Sequence, residues 1–250
     1  DEIFSKNSLV WDSGKVSSDE SVYVKYAGEV LLYDTKYFWT VKVWTNQSKR
    51  ATQSKIMNWK TGLMNADNWK SNWITVNNED MTSPKIPYFI NDFRVDSKII
   101  SANLYITSRG VYEAHINGKR IGDAILTPGW TSYSNRIQYQ AYDVMEMILT
   151  GGNRIGVMLA DGWYRNFRQN RKNRIVDYGK RTSFISELII SYEDGRKESI
   201  IDDKNWSYNH GPILSSSIYN GETVDMNLKN SKWSFAGHKN KNSKKAKIAS

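Results

Sequence analysis

Residues 102–121 read ANLYITSRGVYEAHINGKRI, and this stretch decides the fold. Ala102–Thr107 and Val111–Ile116 are short runs rich in β-branched and aromatic residues, separated by Ser108-Arg109-Gly110. That composition and the period of two predict strands. Asn117-Gly118 follows at once, the strongest short hairpin signal, and Lys119–Ile121 then begins a return strand. Working outward, the same pattern recurs. Residues 37–44 read YFWTVKVW, with Tyr37, Trp39, Val41 and Val43 on one face and Phe38, Thr40, Lys42 and Trp44 on the other. Ser21–Tyr26, Asn153–Leu159 and Phe184–Tyr192 read as further strands, and the turn Glu193-Asp194-Gly195 leads into a hairpin partner over Arg196–Ile201. Helical spacing is confined to Ala141–Leu149, where Tyr142, Met145 and Leu149 predict about two turns ended by Gly151-Gly152. Many short strands with frequent turn signals predict an all-β protein of sandwich type.

Composition narrows the function classes. The chain has 250 residues, enough for one large domain or two modest ones. It has no cysteine, which excludes disulfides, thiolate metal sites and cysteine nucleophiles. No window approaches 18 apolar residues, so no transmembrane helix is expected. The net charge of +9 is unevenly spread: seven lysines and no acid lie between Lys229 and Ser250, leaving only +2 for residues 1–228. A nearly neutral body argues against nucleic-acid binding, which needs a basic stripe on a folded face. The stretch KNKNSKKAK (239–247) lacks an apolar period and predicts a solvated, disordered end. Gly151-Gly152 lacks the strand-to-helix setting of a phosphate loop. Histidine is confined to His115, His210 and His238, and no nucleophile–base arrangement is suggested. Asp161, Glu222 and Asp225 are read as turn or solvated carboxylates, because only environment tunes a carboxyl to acid–base work. Proline-containing Asn77–Pro87 reads as a loop, so a small β unit is placed at 1–62, a linker at 63–84, a larger sandwich at 85–228 and a basic tail at 229–250.

Six strings in order carry a resemblance: WDSGKV (11–16), YFWTVKVW (37–44), NWKSNWI (68–74), LYITSRGVYEAHINGKRIGDAILTPGWTSY (104–133), DGWYR (161–165) and IYNGET (218–223). Together they resemble the N-terminal region of bacterial α-L-rhamnosidases of glycoside hydrolase family 78. The resemblance implies a fibronectin-III-like sandwich, incomplete at its start, followed by a jelly-roll-like sandwich. It implies an accessory carbohydrate-recognition region, with rhamnose-containing glycans and the enzyme's catalytic domain as partners. Catalysis is then expected in a later (α/α)6 barrel outside this chain, so no catalytic residue is assigned here. A purely structural scaffold that packs on that barrel is the competing reading. The chain opens on Asp1-Glu2 without a signal-peptide pattern, as a processed exported protein would, and a periplasmic or extracellular location is expected.

Sugar chemistry points to two loops. Pyranose rings have apolar C–H faces and hydroxyl edges, which call for flat aromatic surfaces beside directed hydrogen-bonding groups. The loop from Asp161 to Arg168 supplies Asp161, Trp163, Tyr164 and Arg165, and the loop 218–223 supplies Tyr219 and Glu222. Trp163 or Tyr164 is expected to stack on a sugar, or else to pack between sheets. Trp130 is read as structural, and Trp11, Trp39, Trp44, Trp59, Trp69 and Trp73 as core or junction residues. The resemblance also suggests calcium as an optional cofactor, with Asp161 as a ligand beside carbonyls near Asn209 and Pro212. The other reading makes Asp161 the cap of its own loop.

Overall fold

Strands account for most of the regular structure in the computed structural model, which describes residues 9–20, 22–165, 168–169, 175–176, 178–201, 205–240 and 242–249. The chain divides into two units, Asp1–Asn68 and Trp69–Ser250. The division falls inside the stretch expected as a linker, and residues from Trp69 onward are built into the larger unit. Among the described residues no helix is long and apolar enough to cross a membrane.

The first unit contains Lys36–Trp39 (β1), Lys42–Thr45 (β2), Ser48–Gln53 (β3) and Met57–Lys60 (β4). β1 pairs with β4 and β2 with β3, all antiparallel. The run 37–44 is therefore two strands rather than one, broken at Thr40-Val41. Ser54 explains the break: its hydroxyl takes the Val41 N–H at 3.0 Å and meets the Thr40 hydroxyl at 3.1 Å, replacing ladder bonds. No strand forms over residues 22–26, and Ser21 lies outside the described residues. Trp39, Trp44 and Trp59 are exposed rather than core, although Trp59 stacks on Tyr37 across the β1–β4 ladder at 5.5 Å. Asp34 is buried against Lys60 at 2.6 Å and anchors the loop that enters β1.

The second unit holds Ile74–Thr75 (β5), Pro87–Val95 (β6), Ile99–Arg109 (β7), Val111–Ile116 (β8), Lys119–Arg120 (β9), Gln140–Asp143 (β10), Gly151–Ala160 (β11), Arg168–Gln169 (β12), Ile175–Val176 (β13), Ser183–Tyr192 (β14), Lys197–Ile200 (β15), Ser207–His210 (β16), Ile213–Ser217 (β17), Gly221–Val224 (β18), Lys244–Lys245 (β19) and Lys247–Ile248 (β20). Two antiparallel sheets form the body, in the orders β10-β7-β14-β5-β20, with β15 also on β14, and β19-β16-β6-β11-β8-β9. Alternation places Phe89, Phe93, Ile155, Val157, Leu159, Tyr112, Ala114 and Ile116 of one sheet in the same buried cluster as Ala102, Leu104, Ile106, Phe184, Leu188 and Ile190 of the other. Phe89 meets Phe184 at 5.0 Å between ring centres, and Tyr208 and Trp206 extend this aromatic seam. The chain is thus all-β, with a sandwich as its larger unit. The Asn117-Gly118 turn has φ of 51° and 83°, the left-handed pair that a two-residue hairpin needs, and it joins β8 to β9.

Two expectations change. Ala141–Leu149 is not helical: Gln140–Asp143 pairs with the edge of β7, and only Met145–Met147 makes a 3-10 turn. The edge of β7 offered backbone partners that outweighed a two-turn helix, which is marginal alone. The tail is seated rather than loose. β19 pairs with β16 at the edge of one sheet and β20 pairs with β5 at the edge of the other, with Ala246 between them bonded to the Trp206 carbonyl at 3.1 Å. Five residues therefore step from sheet to sheet and cover an edge of each. Lysine suits an edge strand, because its backbone pairs while its charge discourages further strands. Upstream, Trp233 lies on Tyr88 and His115, and Gly156 leaves room for its ring. Arg154, only 4% exposed, forks onto Asp92 at 2.6 and 2.7 Å and donates to the carbonyls of His238 at 2.7 Å and Trp233 at 3.3 Å, fastening this strap to the sheet.

Asp80 ties the tail to the body, accepting from Lys244 Nζ at 2.8 Å and from the Tyr208 hydroxyl at 2.7 Å. Burial raises its pKa, but those two bonds, together with the charges of His210 and Lys244, outweigh burial and hold the carboxyl below its usual range. A lowered folded-state pKa contributes stability above the unfolded pKa that is lost as pH falls through the folded one. Two outcomes are expected. Trypsin will cut at Lys239 well before Lys244 or Lys245, because cleavage there needs both edge pairings to open. Asp80→Asn will lower the midpoint of thermal unfolding at pH 7 and flatten its fall in acid. Faster cutting at Lys244 than at Lys239 would show the tail to be free.

Candidate functional site

Topology brings the two expected loops to one end of the sandwich. β6 lies between β11 and β16 and is antiparallel to both. β11 and β16 therefore run the same way, and both end beside the start of β6, about 10 Å apart at two strand spacings. β11 runs into the Asp161 loop, and β16 runs into the β17–β18 hairpin. Asn166 and Phe167 lie outside the described residues.

The Asp161 loop is a tight turn, with the Asp161 carbonyl accepting from Tyr164 N–H at 3.1 Å and Arg165 N–H at 3.3 Å. Gly162 has φ of 54°, and a Cβ there would meet Val111 at 2.6 Å, so only glycine fits. The Asp161 carboxylate accepts from Arg165 Nε at 2.8 Å. The remaining guanidinium nitrogens reach the carbonyls of Met81 at 2.8 Å and Ser83 at 3.3 Å. Arg165 is 9% exposed. Every nitrogen of its guanidinium thus has a protein partner, and the pair clamps this loop to the 81–83 segment. Burial raises the Asp161 pKa more than Arg165 lowers it.

The aromatic residues divide into packed and open rings. Tyr164 is half-buried, set edge-on to Tyr133 at 5.2 Å, and its carbonyl accepts from Tyr178 N–H at 2.9 Å. Burial, followed by the neighbouring Tyr178 and Tyr164, pushes the Tyr133 pKa up to about 12. Trp163 is half-buried and lies parallel to Trp130, at 7° between planes and 6.0 Å between centres. Trp130 is 59% exposed, and its indole N–H donates to the Tyr178 hydroxyl at 3.1 Å. From the sequence alone Trp130 reads as structural. Its exposure depends on Trp163 and Tyr178, distant in sequence, and the only local signal was its place after the Pro128-Gly129 turn.

On the hairpin, Tyr219 and Glu222 are both exposed, and Glu222 accepts from the Ser216 hydroxyl at 2.9 Å. Ser217 Oγ takes the N–H groups of Tyr219 and Asn220 at 3.3 and 3.2 Å, fixing the turn. Tyr88, at the start of β6, feels this end of the molecule. Burial first, then the charges of Glu113 and Glu222, push its pKa up to about 12.

Calcium prefers six to eight oxygen ligands. Among the described residues no group of three or more His, Asp or Glu side chains is placed to hold a metal ion. The guanidinium on Asp161 further opposes a divalent cation at that carboxylate.

With this geometry in place, comparison with known proteins is direct. Residues 97–250 match the family described as alpha-L-rhamnosidase N-terminal domain, and residues 2–65 match the Rha78A-like, N-terminal immunoglobulin domain. An α-L-rhamnosidase of Formosa agariphila is 34% identical over 96% of this chain and 27% of its own length. The structure of the α-L-rhamnosidase of Dictyoglomus thermophilum superposes with a TM-score of 0.85 at 34% identity, covering 96% of this chain and 28% of that one. That of Aspergillus terreus gives 0.85 at 31% identity, covering 94% and 28%. The chain belongs to the α-L-rhamnosidase N-terminal domain family, and it spans about a quarter of the length of the relatives it matches.

The clamp yields a stability expectation. Removing one partner of a buried pair strands the other charge, at a cost of about 3 kcal/mol. Arg165→Met is expected to lower unfolding free energy by that order in a urea titration. Asp161→Asn on the same background should restore part of the loss, because the stranded charge is gone. Arg165→Met at wild-type stability would show that the pair does not hold the loop.

Proposed function

We propose that this chain is the carbohydrate-recognition region of an α-L-rhamnosidase, holding rhamnose-containing glycans at the loop end of its larger sandwich and working with a catalytic domain elsewhere in the parent enzyme. The observation that carries this reading is Trp163, half-buried on the loop that Asp161 and Arg165 hold, set at the same end as the exposed Tyr219 and Glu222. A flat apolar ring beside hydroxyl and carboxylate groups is the combination that a sugar's C–H face and hydroxyl edge require. Glu222 and Tyr219 serve the hydroxyls, and Trp163 serves the C–H face of the sugar nearest the loop. Asp161 and Arg165 serve recognition indirectly, by holding Trp163 in place. That clamp, together with the packing of Tyr164, favours a scaffold role for this half of the loop.

Few contacts in water give weak binding, with an expected Kd on the order of 0.1–1 mM for L-rhamnose. Glu222→Gln should weaken it several-fold without shifting the melting temperature, and calcium should leave it unchanged. Calorimetry or NMR titration with and without calcium reads each outcome. The isolated chain is expected to release no nitrophenol from nitrophenyl α-L-rhamnoside, because Asp161 is engaged by Arg165 and Glu222 stands on an open hairpin. Absence of rhamnose binding at tens of millimolar would leave the scaffold role alone.

A further inference from the structure

The Trp130 indole is oriented before any ligand arrives. Its turn is pinned by Gly129 N–H to the Leu126 carbonyl at 2.9 Å and by the Tyr133 hydroxyl to the Gly129 carbonyl at 3.3 Å. Thr127 exchanges bonds with Tyr112 on the adjoining strand, both at 2.9 Å. The ring's single polar group is already used on the Tyr178 hydroxyl. Parallel rings with centres 6.0 Å apart are offset, so Trp163 covers part of one Trp130 face and the other is open, in keeping with 59% exposure. What Trp130 presents is therefore a fixed apolar face, with the half-exposed Tyr178 beside it. A pre-fixed ring loses little entropy on binding, which is the condition under which a small contact area gives measurable affinity.

We propose that the open face of Trp130 is a second sugar seat, one residue along the glycan from the seat at Trp163 and the β17–β18 hairpin. The ligand is then an oligosaccharide rather than a single terminal sugar. The neighbouring pyranose lays its C–H face on Trp130, and its hydroxyl edge meets the Tyr178 hydroxyl. This inference rests on the carbohydrate-recognition reading above and adds to it a dependence on chain length.

The test compares L-rhamnose with a rhamnose-terminated trisaccharide by calorimetry, on the full 250-residue chain. An aromatic stacking contact predicts about tenfold tighter binding of the trisaccharide. Trp130→Ala should remove that advantage and leave rhamnose affinity within twofold of wild type, whereas Trp130→Phe should keep most of it. Circular dichroism and melting temperature check that each variant folds, and the exposed position gives little reason for it not to. If the trisaccharide binds no tighter than rhamnose, or if Trp130→Ala leaves the ratio unchanged, the second seat is overturned while the first stands. If wild type binds neither sugar, both readings fall together.

Discussion

The contact on which the rest depends is the aromatic seam between the two sheets, where Phe89 of β6 meets Phe184 of β14 at 5.0 Å and Tyr208 and Trp206 close around them. β6 is the strand whose start separates the two candidate loops, and β14 pairs along β7, the longest strand among the described residues. Fixing Phe89 against Phe184 thus fixes where β11 and β16 end, and through them where the Asp161 loop and the hairpin stand. Side chains on the seam alternate with a period of two, so a one-residue slip of β6 would turn Phe89 outward and Tyr88 inward. The burial of Tyr88 under Trp233 on the opposite face opposes that slip from the other side.

Charge is used here for fastening. Among the described residues two arginines, Arg154 and Arg165, are almost wholly buried, and each forks between a carboxylate and backbone carbonyls. Arg154 with Asp92 holds the strap 233–238, and Arg165 with Asp161 holds the 81–83 segment. Burying a guanidinium is costly unless all its donors are met, so each of these residues specifies one loop position rather than adding much net stability. Arginine suits the task because its planar fork can serve a carboxylate and a carbonyl together. Lysine could not replace it on that geometry, and it takes the exposed edge at β19 instead.

What could be read from the chain was what is local. The β8–β9 hairpin follows from Asn117-Gly118 alone, and β11 and β14 from runs that no helix of that length would match. The partners of the tail were hidden because they lie far away in sequence: Lys244 finds Asp80, and β20 finds β5. A lysine-rich stretch with no apolar period carries no sign that two sheet edges await its backbone. The same blindness affected Trp130 and Arg165. Arg165 resembled a free hydrogen-bond donor until Met81 and Ser83 were seen to take its nitrogens. Trp130 reads as structural from its place after Pro128-Gly129, and nothing local shows that it stands on the surface against Trp163.

The loop end therefore divides its labour by chemistry. Its most buried charges are satisfied internally, so they offer a ligand little, and what they give is rigidity. Its open groups are rings and a hairpin carboxylate. A core ring is surrounded on all sides, as Phe89 and Phe184 are. Trp130 is instead half of a parallel pair with its polar edge tied down and one face bare. A bare indole face gains from being covered, and a rigid one gains without much ordering cost. In the proposed reading, rigidity from the buried pairs and affinity from the rings are parts of one arrangement: the clamp at Asp161 and Arg165 sets Trp163, Trp163 lies against Trp130, and Trp130 is the face assigned to the second sugar.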